Sequence, residues 1–302
     1  MSILVIGSLN MDISITTARI PNMGETVTGT AFSTRPGGKG GNQAIAVSRL
    51  GGNVDFLGVV GNDMYGEILR KNLQDNRVSF YGNVSANTAT GAAVITVCDG
   101  DNCIILNSGA NDLVTPELIT ENAWLFQKAD YVVMQLEIPI ETVLTAAKLA
   151  KENDCKVIVN PAPYKPLPKE LLNYIDILIP NEHEASLLTG IPISNRASAE
   201  SALTAIRNTG IDTVIITLGS QGSIYNIHEN IFFCEARKTK CVDTTAAGDT
   251  YIGGLTTMLE KGHSFADAVA FATAAAAITV SGHGAADSIP TFDEVERFMT
   301  VK

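Results

Sequence analysis

The chain has 302 residues, enough for one large domain with a full hydrophobic core. Hydrophobic residues make up 45% and charged residues 18%, which excludes an intrinsically disordered chain. A net charge of −11 argues against broad binding to nucleic acid or an anionic membrane, and no apolar run is long enough to span a bilayer.

In chain order, the N-terminal segment lacks a basic region before its apolar run, so no signal peptide is read and a cytoplasmic location is expected. Apolar runs occur at Ile3 to Ile6, Val54 to Val60, Tyr131 to Met134, Val157 to Val159, Ile175 to Ile179 and Thr213 to Thr217. They are rich in Val and Ile with little polar alternation, as strands buried on both faces are. Helix-like stretches near 39–51, 64–76, 140–151, 181–189 and 197–208 alternate with them. This alternation predicts an α/β protein with a doubly wound, mostly parallel sheet flanked by helices, organised as one domain over 1–302. Residues about 12–35 and 88–108 break the pattern with polar–apolar alternation and hairpin turn signals. They predict a small β-sheet lid beside the main domain; an antiparallel edge on the main sheet is the alternative. Cys98 and Cys103 flank the Asp99-Gly100 turn, where they could face each other across a hairpin. Five cysteines, an odd number, speak against a disulfide framework. The last third is helical and dense in Ala, Gly and Thr, at Ala247 to Lys261 and Ser264 to Ser281, which lets helices approach closely.

Five segments carry chemistry. In Gly37-Gly38-Lys39-Gly40-Gly41-Asn42, four glycines open onto a helix, and such a loop can expose amides to a ligand. The spacing is neither that of a Walker A loop nor of a dinucleotide fingerprint, which argues against a nicotinamide enzyme. A plain helix-capping turn reads equally well there. In Asp243-Thr244-Thr245-Ala246-Ala247-Gly248-Asp249, small residues and an acid open a long helix. Unpaired amides at a helix start form an anion hole suited to a transferring phosphoryl group, and Asp249 beside it can take the proton of an attacking hydroxyl, or it only stabilises the helix N-terminus. Thr217-Leu218-Gly219-Ser220-Gln221-Gly222 follows a buried strand and suits a nucleotide, or is a hairpin turn. Asn181 and Glu184 form a capping-box pair, with a second role for Glu184 near a hydrated magnesium ion. Asn10 and Asp12 lie two apart after the first strand and point the same way, suiting a polyhydroxylated ligand, or belong to a turn.

Together and in this order, these segments resemble the ribokinase family, also called the PfkB family of carbohydrate kinases, over essentially the whole chain. The resemblance implies an ATP-dependent sugar kinase that uses Mg2+, with D-ribose phosphorylated at O5 and deoxyribose, another sugar or a nucleoside as alternatives. A catalytically silent sugar-binding protein is the alternative from another class. Position by position it implies sugar contacts at Asn10, Asp12, Gly38, Lys39, Gly40, Gly41, Asn42 and Glu137, with Asp249 as base. It places nucleotide contacts at Asn181, Thr217, Leu218, Gly219, Ser220, Gln221, Gly222, Gly248 and Thr273. A monovalent cation, K+, is implied at Asp243, Thr245, Thr279, Gly282, Gly284 and Ser288, and a homodimer through the lid. The chain departs from the family pattern at Gly41, at Tyr251-Ile252 after the base, and around Ser281 to Gly284, where the family's common basic residue is missing.

Overall fold

Alternate residues of the first strand, β1 (Ile3–Ile6), enter two different cores: Ile3 and Val5 on one face, Leu4 and Ile6 on the other. That double burial explains a strand without polar alternation. The computed structural model describes residues 2–98, 101–282 and 284–300. After β1 the chain forms β2 (Asn10–Thr16), β3 (Ala31–Gly37), α1 (Lys39–Arg49), β4 (Val54–Leu57), β5 (Val59–Gly61), α2 (Met64–Asp75), β6 (Ser79–Phe80) and β7 (Asn83–Ser85). Next come β8 (Gly91–Cys98), β9 (Asp101–Asn107), α3 (Pro116–Glu121), β10 (Tyr131–Met134), α4 (Ile140–Glu152), β11 (Lys156–Val159), α5 (Lys169–Leu172), β12 (Ile177–Leu178) and α6 (Glu182–Thr189). The chain ends with α7 (Arg196–Arg207), β13 (Thr213–Thr217), β14 (Gly222–Ile227), β15 (Asn230–Glu235), α8 (Ala247–Glu260), α9 (Phe265–Thr279) and α10 (Phe292–Thr300).

Among the described residues, nine strands make the main sheet in the order β15-β14-β13-β12-β11-β10-β1-β4-β6. The pairings from β6 through β13 are parallel; β14 and β15 add an antiparallel edge. On one face, α1, α8 and α9 share a core with Val133, Ile158 and Ile215; on the other, α4 and α7 pack on Val132, Val157 and Val214. Each such fully buried aliphatic side chain contributes about 1.5–3 kcal/mol of transfer free energy.

The two segments that break the strand–helix pattern form a separate four-stranded sheet, β3-β2-β8-β9, and not an edge of the main one. Its hairpin pairs Cys103 with Thr96 and Cys98 with Asp101, so the two cysteines are diagonal neighbours and not a facing pair. The turn residues Asp99 and Gly100 lie outside the described residues. The single strand expected over Val54 to Val60 is two, and the break is Gly58. A Cβ there would fall 2.7 Å from the Phe56 ring and 2.8 Å from Gly7 O, so the bare backbone turns away and β5 pairs with β7 instead.

Candidate active site

In the main sheet the connections leave β1 toward β4 on one side and β10 on the other, so the carboxyl ends of β1 and β10 flank a topological switch point. The predicted Glu137, Asn181 and Thr217 converge there, joined by Ser8 and Asn160. Ser8 follows β1, Glu137 follows β10, Asn160 follows β11, Asn181 follows β12 and Thr217 ends β13.

The glycine-rich loop does not work as expected. Its amides turn inward: Lys39 N donates to Glu137 Oε2 at 3.1 Å, Gly40 N to Ser8 Oγ at 3.3 Å and Gly41 N to Ser8 O at 3.0 Å. The glycines are there for close approach. A Cβ on Gly40 would lie 2.6 Å from Ser8 N, and one on Gly38, at φ 89°, 2.6 Å from Asn10 N. The loop therefore seats α1 directly on the β1–β2 corner, and these three amides are not free for a ligand.

Those side chains form a polar cluster. Glu137 Oε2 accepts from Asn10 Nδ2 at 3.2 Å and from Ser8 Oγ. Asn10 Oδ1 accepts from Asn111 Nδ2 at 2.8 Å, which ties the cluster to the loop after β9. Asp12 lies over Gly37, where a Cβ would come within 2.3 Å of its Oδ2. Burial first, then the neighbouring carboxylates of Glu137 and Asp249, push the Asp12 carboxyl up to about 7. Burial works against the Lys39 ammonium, yet Asp249, Glu137, Glu184 and Asp12 surround it and together raise it above its ordinary value. Lys39 is thus the fixed positive centre of four carboxylates.

Asp249 is buried in the first turn of α8, where the helix dipole favours an anion. Its Oδ2 accepts from Asn42 Nδ2 and its Oδ1 from Gln43 Nε2, both at 3.0 Å. Helix α8 starts from Ala246, a non-glycine residue at φ 61°, which turns the chain into the helix. Ala247 N donates to Thr244 O at a long 3.3 Å and Thr250 N to Ala246 O at 2.8 Å, and a Cβ on Gly248 would meet nothing within 4 Å. Open space thus borders the predicted anion hole.

On the far side of Gly248 lies a cavity of about 650 Å³, within the ~300–1,000 Å³ range of small-molecule sites. Thr217, Gly219, Ser220, Gly222 and Gly248 line it, as predicted for the nucleotide, and so does Thr273 on α9. The stretch from Thr217 to Gly222 is the β13–β14 hairpin turn, as its other reading has it, and it borders this cavity. Leu218 packs into the core, Gln221 is exposed, and Asn181 caps α6 in a reciprocal capping box with Glu184. Burial raises the Glu184 carboxyl above its ordinary range.

The predicted cation residues also gather. Asp243 accepts from Thr245 N at 2.9 Å and from Gly284 N at 3.0 Å. Gly282 N donates to Thr279 O at 3.1 Å, and Ser288 Oγ to Gly284 O at 2.6 Å. His283, between them, lies outside the described residues. Burial disfavours the Asp243 carboxylate, but the bonds from Thr245 and Gly284 and the charge of Arg35 hold it below its ordinary range.

Sequence reasoning gave no role to Arg35, Gln43, Gln135, Asn160, Arg237 or Lys238. Arg35, on β3, packs against Gly284, where a Cβ would fall 2.0 Å from its Nη1. Arg237 and Lys238 line the nucleotide-side cavity. A basic run from Arg237 to Lys240 in an acidic chain was the available signal.

The pfkB family carbohydrate kinase pattern matches residues 1–292. Ribokinase of Haemophilus influenzae is 39% identical over 300 residues, covering 99% of this chain and 98% of its own. Deoxyribokinase of Salmonella typhi is 31% identical over 304 residues, covering 100% of this chain and 99% of its own. The solved structure of Arabidopsis thaliana ribokinase complexed with ribose and ATP superposes with a TM-score of 0.94 at 34% identity, covering 100% of this chain and 99% of that one. The chain belongs to the pfkB family of carbohydrate kinases. It is an ATP-dependent sugar kinase of the ribokinase fold.

Proposed function

We propose that this kinase transfers the γ-phosphoryl group of ATP to O5 of D-ribose, giving D-ribose 5-phosphate and ADP. The observation that carries this reading is the place of Asp249. It stands at the head of α8 between the polar cluster of Asn10, Asp12, Lys39, Asn42 and Glu137 and the cavity bordered by Gly248. Asp249 takes the O5 proton as the new O5–P bond forms. The bond from the γ-phosphorus to the bridging oxygen breaks, and ADP leaves with that electron pair. The amides of Ala246, Ala247 and Gly248 stabilise the charge on the transferring group. Asn10, Asp12, Lys39, Asn42 and Glu137 hold the sugar hydroxyls. The similarity to ribokinases at 39% identity, against 31% to a deoxyribokinase, favours ribose over its deoxy analogue.

The buried Glu184, one oxygen of which caps α6, fits a hydrated Mg2+ held through water, and that ion would offset phosphate charge. At Asp243, Thr245, Thr279, Gly282, Gly284 and Ser288, one carboxylate stands among hydroxyl and carbonyl oxygens. Such a donor set suits a monovalent ion such as K+ better than a divalent one. The small sheet acts as the lid and excludes water from the bound sugar. Its outer residues include Phe32, 68% exposed, and Ile105, 73% exposed, which supports a homodimer through this sheet.

The test is ADP release with Mg-ATP across ribose, deoxyribose, other pentoses and nucleosides, each in potassium and in sodium. Ribose should give the highest kcat/KM, raised by potassium. A higher value for another acceptor would move the specificity, and no turnover with any would overturn the catalytic reading.

A further inference from the structure

The base does not stand alone in its cleft. Gln43, on α1, is fully buried, and its Nε2 donates to Asp249 Oδ1 at 3.0 Å. Its carboxamide cannot turn over. Gln135 Nε2 donates to Gln43 Oε1 at 2.7 Å, and Gln43 Nε2 also lies 3.4 Å from Asn160 Oδ1. Asn160 is fixed in turn, because its Nδ2 donates to the backbone carbonyl of Ile179 at 2.9 Å. From that carbonyl onward, each carboxamide has one allowed orientation. The run therefore passes donors from Gln135 to Gln43 and from Gln43 to the Asp249 carboxylate, with Asn160 taking the second, longer contact of Gln43 Nε2. Among the described residues Gln135 Oε1 is buried without a hydrogen-bond partner, against Gly7, where a Cβ would fall 2.0 Å from it. Buried acceptors are seldom left so. Gln135 thus leaves its own oxygen unpaired and gives its N–H to Gln43.

We infer that Gln43, locked by Gln135 and Asn160, is a positioning residue that sets the plane and the free lone pairs of Asp249 for the sugar hydroxyl. Asn42 holds Oδ2 from the same turn of α1, so each carboxylate oxygen keeps one lone pair toward the cleft. The inference rests on the reading of Asp249 as the base. Its effect is on proton transfer and not on ATP binding, because none of the three amide side chains lines the nucleotide-side cavity.

The experiment compares Gln43→Met and Gln43→Glu with Asp249→Asn, measuring kcat, both KM values, melting temperature and the pH dependence of kcat. Gln43→Met keeps the length and removes the donor. It should lower kcat by about 10–100-fold with KM for ATP unchanged. Gln43→Glu sets a second carboxyl against Asp249, in a site already facing Lys39, Asp12, Glu137 and Glu184. The pair would share a proton, so the acidic limb of kcat should move to higher pH. A lowered melting temperature with kcat and the acidic limb unmoved would reduce Gln43 to core packing and overturn the inference. So would a kcat loss matched by an equal rise of both KM values. If Asp249→Asn keeps its turnover, the base reading itself falls and this inference with it, an outcome distinct from an inert Gln43 beside an essential Asp249.

Discussion

The two ends of the proposed active site are built in different ways. At the sugar end the functional groups are side chains already bonded to one another: Asn10 and Ser8 to Glu137, Asn42 and Gln43 to Asp249. At the phosphate end they are backbone amides, a left-handed Ala246 and exposed loop residues such as Thr244 and Thr245. A sugar is neutral and recognised by the direction of its hydroxyls, so its donors and acceptors must be fixed in advance. A triphosphate is recognised by charge, and unpaired amides at a helix start suffice for that. Removing a side chain should therefore be severe at the first end and mild at the second.

The largest expected effect is that of Asp249→Asn. Loss of a general base costs about 10²–10⁴-fold in rate, and the shape of the site is kept. Turnover should fall by that much while calorimetry still detects sugar binding. Equal activity of variant and wild type would break the distinction at its centre.

Gly253→Ala should come next. Gly253 sits one turn below Asp249, and a Cβ there would lie 2.5 Å from Ala46 Cβ and 2.9 Å from Val47 N on α1. That contact sets how near α1 brings Asn42 and Gln43 to the base. Overpacking costs about 1–3 kcal/mol, and a shift near 1 Å in a reacting group can cost about 10²-fold in rate. Gly254→Ala is the control, since its Cβ would meet Ala272 Cα at 3.3 Å and Leu50 at 3.4 Å, away from the site. The first variant should lose kcat and stability, the second much less of either.

A smaller effect is expected from pH. Asp12 titrates near 7 in the sugar-free protein, above its ordinary 3.8. An acid with a raised folded-state value favours folding when protonated. Its contribution to stability is thus present at low pH and is lost as pH rises from about 4 to about 7. Sugar hydroxyls that donate to Asp12 favour the anion, so KM for the sugar should fall as pH rises through 7. Sugar binding near pH 6.5 should release up to about one proton, measurable by calorimetry in buffers of different ionisation enthalpy. No proton release would mean that Asp12 does not accept from the sugar.

Much of this was legible in the sequence, and the reason differs by region. Buried parallel strands read as uninterrupted Val and Ile runs, and the segments from Gly37 to Asn42 and from Asp243 to Asp249 carry their own turn and helix-start chemistry. Gly58 was missed because its meaning lies in Gly7 O, fifty-one residues earlier in the chain. The inward amides of the glycine loop were misread for the same reason, since their acceptors, Ser8 and Glu137, follow other strands, β1 and β10. Gln43, Gln135 and Asn160 show no local pattern at all; only the folded sheet and α1 bring them together.

The smallest expected effect tests the permissive end. Arg237 and Lys238 line the cavity beside Gly248 on a loop, where solvent and salt screen their charge. Exposed ion pairs are worth about 0.2–1 kcal/mol, so Arg237→Ala with Lys238→Ala should raise KM for ATP by about two- to tenfold. KM for the sugar and kcat should stay as they are. The rise should shrink as salt is added, because screening already removes part of what the two charges supply. A salt-independent loss of kcat instead would place these residues on the transferring phosphoryl group. The phosphate end would then depend on fixed side chains as closely as the sugar end does.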